Sequence, residues 1–374
     1  MENIRMVAPC LFGTEGIVAQ DLKRMDARNV QAENGRVFFE GDFNILARAN
    51  IRSSCAERIL IELGSFKAES FDELFEGTKA LPWENFLGKR NAFPVKGRSI
   101  TSKLSSLPSC QSIIKKAIAE RLSAAYQIPW FEETGSKQQV QFFIFKDKVS
   151  LMLDTSGDGL HKRGYRASSV EAPIKETLAS AICDTVRIFP DSIVYDPLCG
   201  SGTLLIEAAY RAMRIAPGIK RRFACEKWDN IPASVFKEER ELAKSLIKKD
   251  ACFHAFGGDI DPQAIALTLE NAAKAAVPQR ISAAQEDIKD LSLTGEKGTL
   301  ICNPPYGERL LDIESARELY KILGEKCIPK KGWSYAIISP DEEFEQHFGR
   351  KANRQRKLYN GMIECRLYVY YSGE

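Results

Sequence analysis

Ten cysteines are spread through 374 residues, yet none forms a Cys-x-x-Cys pair and none clusters with histidine at metal-ligand spacing. A cysteine-based metal site is therefore not expected, and a disulfide framework is a poor fit for a chain of this size. Long apolar runs are missing as well. Pro9 and Glu15 interrupt the N-terminal stretch, and no run reaches the roughly 20 apolar residues that a membrane helix needs. No low-complexity linker divides the chain; the one seam is a change of pattern near Gly157–Gly164. These absences lead to the expectation of a cytoplasmic protein with reduced, mostly buried thiols, no membrane, no metal and no obligate protein partner.

What is present is an ordinary globular composition, 44% hydrophobic and 28% charged, on a chain long enough for two or three domains. The net charge of +3 is unevenly placed. From Lys89 to Arg121 eight basic residues face one acid, Glu120, so this segment carries +7 and the rest of the chain −4. Such an excess marks a candidate phosphate-binding surface, with Lys96, Arg98, Lys103, Lys115 and Lys116 as its contacts, against the plainer reading of a solvated helix face.

Hydrophobic periodicity divides the chain into three stretches. The first reads β-α-β-β-α, with strand Ile4–Cys10, helix Gly16–Met25, a hairpin at Asn34-Gly35 and a helix over Phe43–Ile51, close to a ferredoxin-like pattern. The second has strand Arg58–Lys67, helix Phe71–Lys79, strand Phe93–Ile100, the basic helix Ser112–Ala124 and two strands around Lys146-Asp147-Lys148. After Pro173 strands and helices alternate: helix Pro173–Arg187, strand Ser192–Asp196, helix Thr203–Ile215, strand Cys252–Asp259, helix Pro262–Ala275, strand Ile281–Gln285, strand Thr299–Asn303, helix Ile313–Cys327 and strand Ser334–Ser339. A charged insert, irregular or helical, occupies Ala216–Lys249, and a hairpin around Asn360-Gly361 ends the chain. Alternation of this kind predicts a mostly parallel, doubly covered sheet, and its closure by an antiparallel hairpin is the pattern of class I methyltransferases. The expected boundaries are 1–55, 56–160 and 161–374.

Chemistry concentrates at strand ends. In Val194–Thr203, VYDPLCGSGT, a strand closes on Asp196 and turns through Gly200 and Gly202 into a helix, so that Leu198, Cys199 and Thr203 join the candidate ligand loop. No lysine follows the glycines, which sets it apart from a phosphate-binding loop, and Asp196 would repel an anion. It suits a cationic or amine-bearing ligand. Asp259, at the next strand end, can accept from two ribose hydroxyls, with Ile260 packing on an adenine face; Asp261 before Pro262 reads as a helix cap. Asp287 is a third strand-end acid, placed to hold an adenine amino group.

The fourth strand end is Asn303-Pro304-Pro305-Tyr306. The prolines stiffen the turn and remove N–H groups, leaving carbonyls as uncompensated acceptors. The Asn303 amide oxygen and the Pro304 carbonyl can then accept from one exocyclic amine, aiming its lone pair and stabilising the positive charge that develops on nitrogen. Tyr306 offers a face for a base and Gly307 leaves room. Adenine N6, cytosine N4 and guanine N2 all meet these demands, and an amine hidden in a helix must be flipped out to reach the site. No strong general base is required, because the proton can leave after transfer.

Asp196–Thr203, Gly258–Asp261 and Asn303–Leu310, together with His161–Arg166 and Ala172–Ile182, resemble the THUMP-domain RNA methyltransferases. The likeness is to the amino-terminal half of the bifunctional 23S rRNA guanine-N2 methyltransferases and their stand-alone relatives, often labelled adenine-N6-specific DNA methylases. It covers essentially the whole chain. It implies a ferredoxin-like start, a THUMP unit and a Rossmann-like class I catalytic domain, with S-adenosylmethionine as cofactor and RNA as partner. Carried over, it implies that Asp196, Gly200, Asp259 and Asp287 bind cofactor, that Asn303 to Tyr306 hold the base, and that Arg163 and Arg166 lie near cofactor or RNA. His161 is balanced between contact and structural histidine, while Lys351, Arg354, Arg356 and Lys357 read as a solvated loop. Guanine in 23S rRNA is the expected target. tRNA guanine-N2, adenine-N6 in DNA or RNA, and a non-catalytic RNA-binding or assembly factor are the rivals.

Overall fold

The structure is a computed structural model that describes residues 3–166, 173–306 and 313–372. Strand β1 (Ile4–Pro9) is buried at every position but Arg5 and Pro9, and α1 (Glu15–Arg24) follows it. Strands β2 (Arg28–Glu33) and β3 (Arg36–Gly41) form the hairpin, with Gly35 at φ +73° where a left-handed residue is needed. Asp42 accepts from the Asn44 and Ile45 N–H groups and so starts α2 (Phe43–Arg52). Next come β4 (Leu60–Lys67), α3 (Phe71–Lys79), capped by Ser70, and β5 (Val95–Ile100). The basic helix α4 (Leu107–Tyr126), β6 (Val140–Phe145) and β7 (Lys148–Asp154) complete this half.

These strands make one seven-stranded sheet, β2-β3-β1-β4-β7-β6-β5, rather than two separate units. Strand β4 is the joint: it pairs with β1 on one side and β7 on the other, both antiparallel, with a register shift between Glu62 and Gly64. Helix residues such as Ile17, Leu46, Leu74 and Ile114 pack in one core with Met6, Phe39, Ile61, Phe142 and Leu151 from the strands.

The second half contains α5 (Glu176–Thr185), β8 (Ile193–Asp196), α6 (Thr203–Met213), α7 (Ala233–Ser245), β9 (His254–Asp259), α8 (Pro262–Lys274) and β10 (Ile281–Gln285). It continues through β11 (Gly298–Cys302), α9 (Ile313–Cys327), β12 (Trp333–Ser339), the short α10 (Phe344–Phe348), β13 (Arg354–Asn360) and β14 (Ile363–Tyr370). The sheet order is β10-β9-β8-β11-β12-β14-β13, parallel from β10 to β12 and antiparallel at β14 and β13. Strand order reverses beside β8, which opens a crevice at the carboxyl ends of β8, β9 and β11. Among the described residues no helix is long and apolar enough to cross a membrane. All ten cysteines are free, and nine of them are buried.

The insert resolves into a clamp. Helix α7 lies within it and docks on α2, and Val235, Phe236 and Ala243 join the core of the first half together with Phe223 and Trp228. Burying a side chain such as Phe236 contributes about 2–3 kcal/mol. Arg48 of α2 donates to both carboxylate oxygens of Glu239 at 3.0 and 2.8 Å. Arg354, Arg356 and Lys357 belong to strand β13, not to a loop, and Lys357 pairs with Glu364 across the hairpin at 2.7 Å.

Candidate active site

The turn after β8 is shaped by two left-handed glycines, Gly200 at φ +53° and Gly202 at φ +74°. A Cβ on Gly202 would lie 2.8 Å from Thr268 Cγ2, so the turn admits no side chain there. Three bonds tie the loop down. Cys199 N–H donates to Gly258 O at 2.9 Å, Thr268 Oγ1 to Gly200 O at 2.9 Å and Asn271 Nδ2 to Ser201 O at 3.0 Å. Asp259 locks the next turn from both ends: Oδ2 accepts from Gly200 N–H at 2.9 Å and Oδ1 from Asp261 N–H at 3.0 Å.

A cavity of about 790 Å³ opens above these turns. Asp196, Leu198, Cys199, Gly200 and Thr203 line one wall, Asp259 and the exposed Ile260 the second, and Asp287, Asn303 and Pro305 the third. Gly202 lies outside the lining, where it caps α6. Asp287 accepts from Lys289 N–H at 2.9 Å and starts a 3-10 turn, so its carboxylate is oriented before any ligand arrives. Pattern reading missed Pro173, Ile174, Ser201, Gln263, Glu286 and Leu319, which also line the cavity. Ser201 sits within the Asp196–Thr203 loop, Pro173 and Ile174 within the Ala172–Ile182 segment, and Glu286 is an acid next to Asp287 at a strand end; Gln263 and Leu319 carried no signal. Asp261 caps α8 as expected, accepting from Gln263 N–H at 2.8 Å.

Two polar groups here are poorly compensated. Asp196 is 2% exposed, with the Leu198 N–H at 3.3 Å and the Cys302 thiol as its donors. Burial, with the nearby Asp259 charge adding to it, pushes its carboxyl up to about 8. The Asn303 Oδ1 is buried and accepts no hydrogen bond among the described residues. An orphaned acceptor costs about 1–3 kcal/mol, so a cavity that keeps one is built for a donor that arrives with a ligand.

Tyr306, expected to offer a face to a base, is anchored through its hydroxyl. It is half-buried against the second core, and its hydroxyl accepts from Asn360 Nδ2 at 2.7 Å, with Cys365 Sγ at 3.6 Å. Pro304 is buried. Gly307 and the Glu308-Arg309-Leu310 extension lie outside the described residues, as do 167–172.

The basic residues sort into three groups. Arg163 is a core residue and not a surface contact: its side chain is 1% exposed, paired with the wholly buried Glu207 at 3.3 Å and donating to the Leu160 and Ser54 carbonyls. Arg166 donates to Thr203 Oγ1 at 2.9 Å and Ile174 O at 3.0 Å, which places it behind the cavity wall. Lys103 pairs with Glu69, Lys115 with Glu133 at 2.6 Å and Lys116 with Glu120 at 4.0 Å. Lys96 and Arg98 are exposed on β5 and form no ion pair among the described residues. His161 lies 3.4 Å from Glu57 Oε2, and Lys175 at 3.3 Å and Thr177 at 2.6 Å hold the same carboxylate.

Comparison with known proteins places this geometry. Residues 163–369 match the RMKL-like methyltransferase domain, residues 5–60 the RlmL ferredoxin-like domain and residues 68–154 the THUMP domain. The chain is 40% identical over 374 residues to "Putative RNA methyltransferase YpsC" of Bacillus subtilis, covering all of this chain and 97% of that protein. It is 33% identical to the ribosomal RNA large subunit methyltransferase K/L of Syntrophotalea carbinolica, covering 97% of this chain but 53% of the relative, so it spans about half of such K/L proteins. Among solved structures it resembles SMU.472, "a putative methyltransferase complexed with SAH", with 39% identity, a TM-score of 0.95, and coverage of 100% of this chain and 99% of the other.

Proposed function

The chain belongs to the RMKL-like methyltransferase family, and from that premise we propose that it is an S-adenosylmethionine-dependent RNA methyltransferase acting on the exocyclic N2 amine of a guanine in large-subunit ribosomal RNA. The observation that carries the reading is the unsatisfied Asn303 Oδ1 in the cavity lined by Asp196, Asp259 and Asp287. The THUMP match supports RNA over DNA, and the names of the K/L relatives support ribosomal RNA. A relative with the same fold binds S-adenosylhomocysteine.

The residues fit the cofactor. Asp196 is a buried carboxyl short of partners, suited to the ammonium of the methionine moiety. Asp259 is fixed through its two backbone bonds and keeps lone pairs for ribose hydroxyls. Ile260 and Ile288 supply apolar flanks for adenine, with Asp287 at its edge. When bound, S-adenosylmethionine supplies an electrophilic methyl group on a sulfonium. Asn303 Oδ1 accepts from the target amine, turns its lone pair toward the cavity, and stabilises the charge that grows on nitrogen during transfer. The carbonyl of Pro304 is a second acceptor, next to Pro305, which has no N–H to compete. Such a clamp works by position and preorganised dipoles, so the chemistry asks no side chain to act as a strong base.

The test is nucleoside mass spectrometry after incubating the wild type and Asn303→Ala with labelled S-adenosylmethionine and separated, unmodified ribosomal RNA and tRNA. N2-methylguanosine in 23S rRNA, absent with the variant, is the expected result. The same nucleoside in tRNA moves the substrate, methyladenosine moves the base, and no product on any RNA overturns the reading.

A further inference from the structure

The helices of the first half cover one face of its sheet only. The other face holds a small apolar cluster, Val7, Phe38, Leu60 and Met152 with Phe143 packed against it, and every member is a strand residue. No described helix residue joins it. Toward the β5 edge this face changes character. Phe143 and Phe145 stack with ring centroids 6.2 Å apart and planes 14° apart, and Phe145 is 42% exposed.

Register places cations beside the rings. Arg98 lies opposite Phe143, Lys96 opposite Gln141, and Lys148 opposite Phe145 on the far side. None of these three cations has an ion pair among the described residues, whereas Lys115 and Lys116 of α4 both do. Strands β5 and β6 carry no acid. Asp154, at the end of β7, is taken up by Arg58 and Gln141. Arg36 extends the pattern inward, over the rings of Phe38 at 4.8 Å and Phe143 at 5.6 Å.

An exposed ring, Phe145, backed by the half-buried Phe143 and with unpaired cations on both sides, matches a chain that alternates planar bases with phosphates. Stacking needs bases out of a duplex, which selects a single strand. Resting on the RNA reading above, we propose that the open face of β5, β6 and β7 is a docking platform for an unpaired segment of the RNA substrate. Phe145 takes a base, with Phe143 supporting its ring, and Lys96, Arg98 and Lys148 take phosphates. The site is separate from the cavity that receives the target base, and it assigns RNA contact to a sheet face, not to the basic helix.

The experiment measures binding of a fluorescent single-stranded oligoribonucleotide and of a duplex of equal length to the full chain across a salt series. Phe145→Ala weakens single-strand binding roughly 5- to 100-fold and spares duplex binding, while Phe145→Tyr restores it. Lys96→Glu with Arg98→Glu lowers the slope of log affinity against log salt by about 1.4, the value for two single-strand phosphates. Lys115→Glu with Lys116→Glu changes the slope by less than half as much. S-adenosylhomocysteine binding and thermal melting, unchanged in all variants, verify the fold. If Phe145→Ala and the β5 double variant bind single strands like wild type, the platform is overturned and the methyltransferase reading stands. If wild type binds cofactor but no RNA of either form, the RNA reading falls and the platform with it.

Discussion

Two buried polar clusters in this protein have opposite fates. Where the chain passes between the halves, Glu57 is surrounded. Burial opposes its charge, but hydrogen bonds from His161 and Thr177 and the Lys175 ammonium outweigh it and hold the carboxyl at about 2. Arg163 and Glu207 likewise satisfy each other, with Tyr165 adding a bond to Glu207 at 3.1 Å. In the cavity, Asp196 is more deeply buried, 2% exposed against 20% for the Glu57 side chain; the Leu198 N–H at 3.3 Å and the Cys302 thiol are its only donors among the described residues, and its carboxyl rises to about 8. Asn303 Oδ1 beside it has no partner among the described residues. The Glu57 carboxylate is held by several donors, whereas Asn303 Oδ1 faces the cavity without one, at a cost to stability.

The sharpest way to break this contrast is Asn303→Ala. Removing a preorganised acceptor from the transition state should lower kcat by about 10²–10³-fold, as loss of a single oxyanion-hole donor does in other enzymes. Stability should stay equal or rise, because an unsatisfied group has gone. Single-turnover kinetics alongside thermal melting check both halves, and a fall in melting temperature would move Asn303 to the structural side. The mirror experiment is Arg163→Met, which strands the Glu207 charge in the core. It should cost about 3–5 kcal/mol of stability, read by denaturant unfolding, and leave cofactor affinity of the folded fraction unchanged.

A smaller effect separates the two carboxylates. Asp196→Asn should weaken S-adenosylmethionine binding about 100-fold, or about 2.7 kcal/mol, while the free protein becomes more stable at pH 8. Glu57→Gln should do the reverse: normal cofactor binding, with stability lower by about 2 kcal/mol at neutral pH. Its sign follows from a depressed carboxyl. The contribution of Glu57 is present above the ordinary value of 4.5 and is lost as pH falls toward about 2, so wild type and variant should converge in acid-denaturation curves.

Much of this site was legible because strand-end chemistry is local. Asp196, Asp259, Asp287 and Asn303 each end a strand whose apolar run is short and clear, and a parallel sheet gathers such ends on one edge whatever else the chain does. The clamp was not legible. Arg163 was expected near cofactor or RNA because the resemblance carried the His161–Arg166 stretch there; its partner Glu207 is 44 residues away on α6. The union of the first two units into one sheet depends on β4 pairing with β7, and the docking of α7 on α2 joins segments nearly 200 residues apart. Periodicity predicts which face of an element is apolar, not which distant element covers it. A charge count along the chain also passes over acids that the fold brings to the basic segment, such as Glu84 on Arg121 and Glu133 on Lys115.

The finest test of the contrast is the pH dependence of cofactor binding. The unfolded chain ionises Asp196 near 3.8, but the folded carboxyl stays protonated up to about 8. The stability that comes with the protonated form is complete below pH 4 and fades as pH rises toward 8. A cationic ligand needs the ionised form and must expel that proton to bind. Affinity for S-adenosylhomocysteine should therefore rise with pH, by up to about tenfold per unit between pH 5.5 and 7, and titration calorimetry in buffers of different ionisation enthalpy should record one proton released. In Asp196→Asn both signals should vanish. A flat profile in the wild type would mean that Asp196 is already ionised in the empty cavity, and so that a donor among its neighbours satisfies it as fully as Lys175 and Thr177 satisfy Glu57.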